Sequence, residues 1–145
     1  MEPITHVAME PVIQKSDADC AIAALAMASG YSYSDLSRAA RTVLKNPHQS
    51  GMWITEMKRV VKKLGITLKV VTPQEALDIG TGLWIIKFLK TKEYHCVTLF
   101  RGTLIDPLNG VLWEPETYLA TMGKEHGTTR AVNGVLLYET RRRKC

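Results

Sequence analysis

"IQKSDADCAIAALAMASG", residues 13–30, is the stretch on which the reading of this chain turns. From Cys20 to Ser29 every residue is small or apolar, and Gly30 follows as a C-terminal stop, so the pattern predicts a helix over 19–29. A helix without a polar face belongs inside a protein. Yet its first residue is a cysteine, standing behind Asp17, Asp19 and Gln14. Asp19 suits the N-cap, which puts Cys20 where unpaired backbone N–H groups and the positive end of the helix dipole favour a thiolate. The thiolate is the nucleophilic form of the group. The carboxylates of Asp17 and Asp19 oppose it, since nearby negative charge raises a thiol pKa.

Outward from this helix the period of the sequence changes once. "SYSDLSRAARTVLKN" (32–46) spaces Leu36, Ala39, Ala40, Val43 and Leu44 as a second helix with Ser34 as N-cap, ended by Pro47. "MWITEMKRVVKKLG" (52–65) gathers Met57, Val60, Val61 and Leu64, with Trp53 or Ile54, on one face of a third. Beyond Gly65 the runs "ITLKVVT", "LWIIKFL", "YHCVTLF", "TLID", "GVLW" and "NGVLLYET" are β-rich and separated by turn residues. "PQEALDIG" reads as a short helix and "PETYLATMGKEHG" as a late one beginning at Pro115. Helices first and a mainly antiparallel sheet second define an α+β class.

Composition narrows what such a chain does. Its 145 residues suit one domain over 1–145 with a substantial core, and 46% hydrophobic with 23% charged residues is ordinary for a globular protein. No apolar run approaches the roughly 20 residues that span a bilayer. The start lacks the basic and apolar segments of a secretory signal, so the expected location is cytoplasmic, in the host cell if the protein derives from a phage. The net charge of +5 is concentrated in the tail 141–145, "RRRKC". That tail holds four of the 19 basic residues, which leaves 15 against 14 acidic ones. The body shows no interleaving of basic and aromatic residues, so no nucleic-acid partner is expected. Cys20, Cys96 and Cys145 form no CxxC pair and are odd in number, so free thiols are expected, with neither metal nor cofactor.

"HCVTLFRGTLIDP" (95–107) supplies groups that could act on a thiol. A two-residue loop at Arg101-Gly102 would pair Phe100 with Thr103 and Leu99 with Leu104. His95 and Asp106 then fall on one face as diagonal neighbours, where the carboxylate can orient the imidazole. A three-residue loop would send them to opposite faces. Cys96 points away from His95 and reads as a small buried hydrophobe. Gln14 could offer its side-chain amide, with the Cys20 backbone N–H, to an oxyanion.

In this order and spacing the residues resemble a papain-like cysteine peptidase. The similarity is greatest to the bacteriocin-processing peptidases that cut leader peptides after a double glycine, and to their stand-alone relatives. It runs through "QKSDADCAIAALAMASGY", "GMWITEMKRVVKKLGI" and "HCVTLFRGTLIDPLNG", over roughly residues 12–110. The resemblance implies the papain-like fold, with N-terminal helices packed on an antiparallel sheet. It implies Cys20 as nucleophile, His95 as general base and acid, Asp106 as the residue orienting His95, and Gln14 in the oxyanion hole. The implied activity is hydrolysis of peptide or amide bonds in a peptide or protein substrate through a thioester. Two positions depart from the family: Ala21 stands where glycine usually follows the nucleophile, and Cys96 where a bulky apolar residue usually follows the histidine. No Walker-type GxxxxGK[ST] is present, so an exporter-coupled role does not carry over. A non-catalytic binding module on the same fold, and a thiol transferase or deamidase, are the alternatives.

Overall fold

A computed structural model of the chain describes residues 2–5, 11–16, 19–47 and 51–140; Asp17, His48, Cys145 and the basic tail lie outside the described residues. The described elements run α1 (Cys20–Ser29), α2 (Tyr33–Val43), α3 (Ile54–Lys62), β1 (Ile66–Val71), α4 (Pro73–Ile79), β2 (Thr81–Phe88), β3 (Glu93–Phe100), β4 (Thr103–Ile105), β5 (Leu112–Trp113), α5 (Pro115–His126) and β6 (Thr129–Glu139). The class is α+β: the six strands form one sheet in the order β1-β6-β2-β3-β4-β5, and every pair in it is antiparallel. None of these helices is long and apolar enough to cross a membrane.

Alternation along the strands gives the sheet two covered faces. One face, with Leu83, Ile85, Cys96, Val135 and Leu137, packs against α1, α2 and α3. All ten residues of α1 are buried there, as its sequence requires. Its alanines admit close approach of the sheet, and Thr98 Oγ1 on β3 donates to the Ala24 carbonyl at 3.0 Å, which ties the helix to the strand. The other face, with Trp84, Ile86, Val97, Leu99, Leu104 and Leu136, takes Ala76 from α4 and Tyr118 from α5.

Two local expectations need correction, and one open choice closes. Helix α2 begins one residue after Ser32, not at Ser34; the Ser32 side chain accepts from the Asp35 N–H and so satisfies a free helix-end donor. Strand β6 starts at Thr129, four residues ahead of the apolar run at 133–140, because Thr129, Arg130 and Ala131 pair with Phe88, Lys87 and Ile86. Those residues are half-exposed or exposed, so no hydrophobic pattern marks them. Of Trp53 and Ile54, it is Ile54 that packs against the core with α3, while Trp53 stands at the cap position, 67% exposed.

Candidate active site

Cys20 is the first residue of α1 and sits at its dipole-positive end, 9% exposed. Asp19 precedes it at the cap position but does not cap with its side chain. Its carboxylate turns back to accept from the backbone N–H groups of Lys15 and Ser16, both at 3.0 Å, and from the Tyr33 hydroxyl. These bonds hold the chain that leads into the helix, so Asp19 clamps the approach to Cys20. Burial disfavours its charge, but the Tyr33 hydroxyl and the Ser16 and Lys15 amides outweigh it and hold the carboxyl below its ordinary range. The Tyr33 hydroxyl is pushed up to about 12 by burial and by Asp19.

The sheet brings the other groups to Cys20 through the shortness of β4. The β3–β4 turn has the two-residue loop, with Arg101 and Gly102 both at positive φ, 51° and 79°. Its pairs are Phe100 with Thr103, Leu99 with Leu104 and Thr98 with Ile105. There the ladder ends: the Asp106 N–H faces β5 and donates to the Val111 carbonyl, while Pro107, the next residue due to face β3, has no N–H and its carbonyl accepts from the Gln14 N–H. His95, Cys96 and Val97 therefore form an open edge of β3, and the helix end carrying Cys20 meets this edge. The Cys96 backbone N–H, free of any β4 partner, donates to the Cys20 sulfur, and so does the Cys96 thiol. Cys96 is buried, as expected of a small hydrophobe, but its neighbour is the nucleophile candidate rather than plain core.

His95 leans to the opposite side of the same edge. Its Nε2 lies 2.7 Å from Asp106 Oδ1 and donates to it, so the hydrogen bond with the Cys20 sulfur falls to Nδ1. The Phe88 ring stacks beside the imidazole at 6.4 Å between centroids. Asp106 is 3% exposed and fully engaged: Oδ1 also accepts from the Leu108 N–H at 2.9 Å, and Oδ2 accepts from the Tyr118 hydroxyl at 2.9 Å. Tyr118 was not legible as a site residue. It stands in a short amphipathic run, and only the packing of α5 against β4 and β6 reveals that its hydroxyl ends on Asp106.

Gln14 joins the same neighbourhood through its backbone, whose N–H donates to the Pro107 carbonyl at 2.7 Å. Its side-chain Nε2 donates to the Ser16 carbonyl at 2.8 Å, which leaves one amide hydrogen uncommitted, and its buried Oε1 has no hydrogen-bond partner among the described residues.

Charge follows from these contacts. The hydrogen bond from the Cys96 thiol, with the His95 imidazolium and the Cys96 amide, outweighs burial and brings the Cys20 thiol down to about 5. Burial alone would lower His95, but Asp106 and the Cys20 sulfur raise it to about 9. Cys96 is pushed up by its contact with the Cys20 sulfur and by burial, so it remains a neutral S–H donor. Burial opposes the charge of Asp106, yet His95, the Leu108 N–H and Tyr118 hold its carboxyl down. Near neutral pH the arrangement is a thiolate beside an imidazolium, which is in turn paired with a carboxylate.

No known protein-family model matches the sequence, and no curated protein sequence matches it. Solved structures do. The chain is similar to a double glycine motif protease from an AMS/PCAT transporter, crystallised in complex with the leader peptide. The TM-score is 0.57 at 18% identity, over 94% of this chain and 96% of that one. It is similar also to the peptidase domain of Streptococcus ComA, a bifunctional ABC transporter of a quorum-sensing pathway. There the TM-score is 0.51 at 20% identity, over 88% of this chain and 94% of the other. The fold is thus that of the double-glycine peptidase domains of ABC transporters, a papain-like cysteine peptidase fold.

Proposed function

We propose that this chain is a cysteine peptidase that hydrolyses a peptide or amide bond of a peptide substrate. The observation that carries the reading is His95 shared between the Asp106 carboxylate and the Cys20 sulfur at the dipole-positive end of α1. In the first step the Cys20 thiolate adds to the scissile carbonyl carbon. The oxyanion takes the Cys20 backbone N–H and the uncommitted amide hydrogen of Gln14. The His95 imidazolium gives its Nδ1 proton to the leaving amine, and the tetrahedral adduct collapses to a thioester. His95, now neutral, takes a proton from water as that water attacks the thioester, and the carboxylic acid leaves with Cys20 restored as a thiolate. Asp106 holds the ring and its tautomer through both steps. A peptide substrate accords with the leader peptide bound to the similar transporter protease.

The test is alkylation of the intact chain by iodoacetamide, followed by peptide mapping. Cys20 should react with a pH dependence set near 5, far below an ordinary thiol, and Cys20→Ala should abolish cleavage of a peptide mixture. Labelling of Cys20 no faster than Cys145 at pH 6 would sink the proposal.

A further inference from the structure

Two free thiols meet at this site, and only Cys20 makes or breaks a bond in the steps above. Cys96 shares a face of β3 with Thr98, two residues on, and Cys20 shares a face of α1 with Ala24, four residues on. The Thr98 hydroxyl is bonded to the Ala24 carbonyl at 3.0 Å, which pins the helix to the strand. Two residues of strand advance about 6.6 Å and four of helix about 6 Å, so the elements keep step and the cysteines meet one turn back. There the Cys96 thiol donates to the Cys20 sulfur. Both cysteines line an open cavity of about 340 Å³, which gives a small solute a way to the buried sulfurs.

We propose that Cys20 and Cys96 form a reversible disulfide when the protein meets a hydroperoxide, which masks the Cys20 sulfur until a thiol reductant frees it. The bond needs only the two thiols; that it switches peptide cleavage off and on rests on the peptidase reading above. The Cys20 thiolate attacks one oxygen of hydrogen peroxide, the O–O bond breaks, and Cys20 becomes a sulfenic acid as hydroxide leaves. The His95 imidazolium converts that hydroxide to water. The Cys96 sulfur then gives up its proton and attacks the Cys20 sulfur. The S–O bond breaks, and the departing hydroxide takes the proton to form a second water. The two sulfurs lose two electrons between them and the peroxide gains two. Formation of the sulfenic acid also removes the negative charge that holds the proton on Cys96, so oxidation of the first thiol readies the second. Closing the bond takes a short movement of two side chains already in contact. A sulfenic acid with no such neighbour goes on to sulfinic acid, which dithiothreitol does not reverse.

The experiment uses the full-length protein carrying Cys145→Ser, so that only these two thiols remain. It is treated with hydrogen peroxide at pH 6, denatured in N-ethylmaleimide, and read by intact mass and peptide mapping. The chain should lose about 2 Da, yield a peptide linking Cys20 to Cys96, and recover both thiols in dithiothreitol. Cleavage of a peptide mixture should vanish on oxidation and return on reduction. Cys96→Val in the same background should instead gain about 32 Da at Cys20 and recover nothing in dithiothreitol. Absence of the linked peptide, or Cys20 found as sulfinic acid while Cys96 is present, overturns the proposal. That readout requires no change at Cys96, so it decides even if the variant does not fold. A folded Cys96→Val chain whose Cys20 returns as fully as that of its parent overturns the role of Cys96. A linked peptide in a chain that cuts nothing before oxidation, or still cuts after it, leaves the disulfide standing and overturns the peptidase.

Discussion

Replacing Cys96 isolates one contribution to the reactivity of Cys20. The Cys96 thiol is the largest influence on the Cys20 thiol, and it acts as a neutral donor to a charged acceptor. Hydrogen bonds to charged groups are worth about 1.5–3 kcal/mol, and a sulfur donor lies at the low end of that range. At about 1.36 kcal/mol per pH unit, its loss should raise the Cys20 thiol by about one unit. The backbone N–H of Cys96 and the imidazolium of His95 persist in any such variant, so the rise should stop well short of an ordinary thiol. Cys96→Ala removes the donor but leaves a small void. Cys96→Val also removes it while filling the space with a side chain suited to a strand. The assay is the second-order rate of iodoacetamide alkylation at Cys20 between pH 4 and 9, read by intact mass. Both variants should move the inflection up from about 5 by similar amounts. An unmoved inflection in both would refute the assignment of Cys96 as donor to the thiolate. A shift in the alanine variant alone would attribute the effect to the void.

Peptide cleavage should follow a bell-shaped pH profile in kcat/KM, with limbs near 5 and 9 that belong to the Cys20–His95 pair. The acid limb marks formation of the thiolate and the alkaline limb loss of the imidazolium; a single limb above pH 8 would contradict the ion pair. Tyr118→Phe strands a buried carboxylate oxygen at a cost of about 1–3 kcal/mol, so kcat should fall about tenfold or more with KM nearly unchanged. Equal losses in kcat and in urea stability, with an unaltered pH profile, would make Tyr118 a structural residue only. Gly82→Ala should destabilise the fold by about 3 kcal/mol or more, seen as a lower urea midpoint. Its φ is +101°, and an added Cβ would stand 2.0 Å from the Val135 carbonyl oxygen.

Much of the fold was legible because its local signals are independent of one another. The apolar run of α1 with its terminal Gly30, the proline at the start of α5 and the two-residue turn at Arg101-Gly102 each carry their own mechanism. The turn was decisive for the site, since its length alone sets whether His95 and Asp106 share a face. What escaped notice depends on long-range packing. Tyr118 comes to Asp106 from 12 residues further along the chain by way of a helix on the far face of the sheet. Cys96 was correctly turned away from His95 by strand alternation, yet alternation says nothing about the helix end lying against that edge. Asp19 was placed at the right position with the wrong partners, because capping rules count helix amides and not those of the preceding loop.

That last correction answers the charge problem beside Cys20. A carboxylate next to a thiol should resist thiolate formation. Asp19 instead has two backbone amides and a tyrosine hydroxyl directed at it, on the side of the loop and Tyr33. Its negative charge is spent in fixing the chain that leads to Cys20, and the sulfur is left to the Cys96 amide, the Cys96 thiol and His95. The amide among these is free for it because β3 has an open edge there, and the edge is open because β4 stops after three residues. In the next pair, Val97 with Asp106, the backbone groups would point away from each other; the pair after it would need Pro107, which has no N–H and whose carbonyl accepts from the Gln14 N–H, so the Cys96 N–H stays free for the sulfur. The length of the turn sets which face Asp106 takes, and insertion of one residue after Arg101 tests it. It should flip the face of Asp106, separate its carboxylate from His95 and move the alkaline limb of the pH profile downward, because the imidazolium would lose its partner. An insertion variant that folds and keeps the limb near 9 would show that the length of the β3–β4 turn does not govern the site.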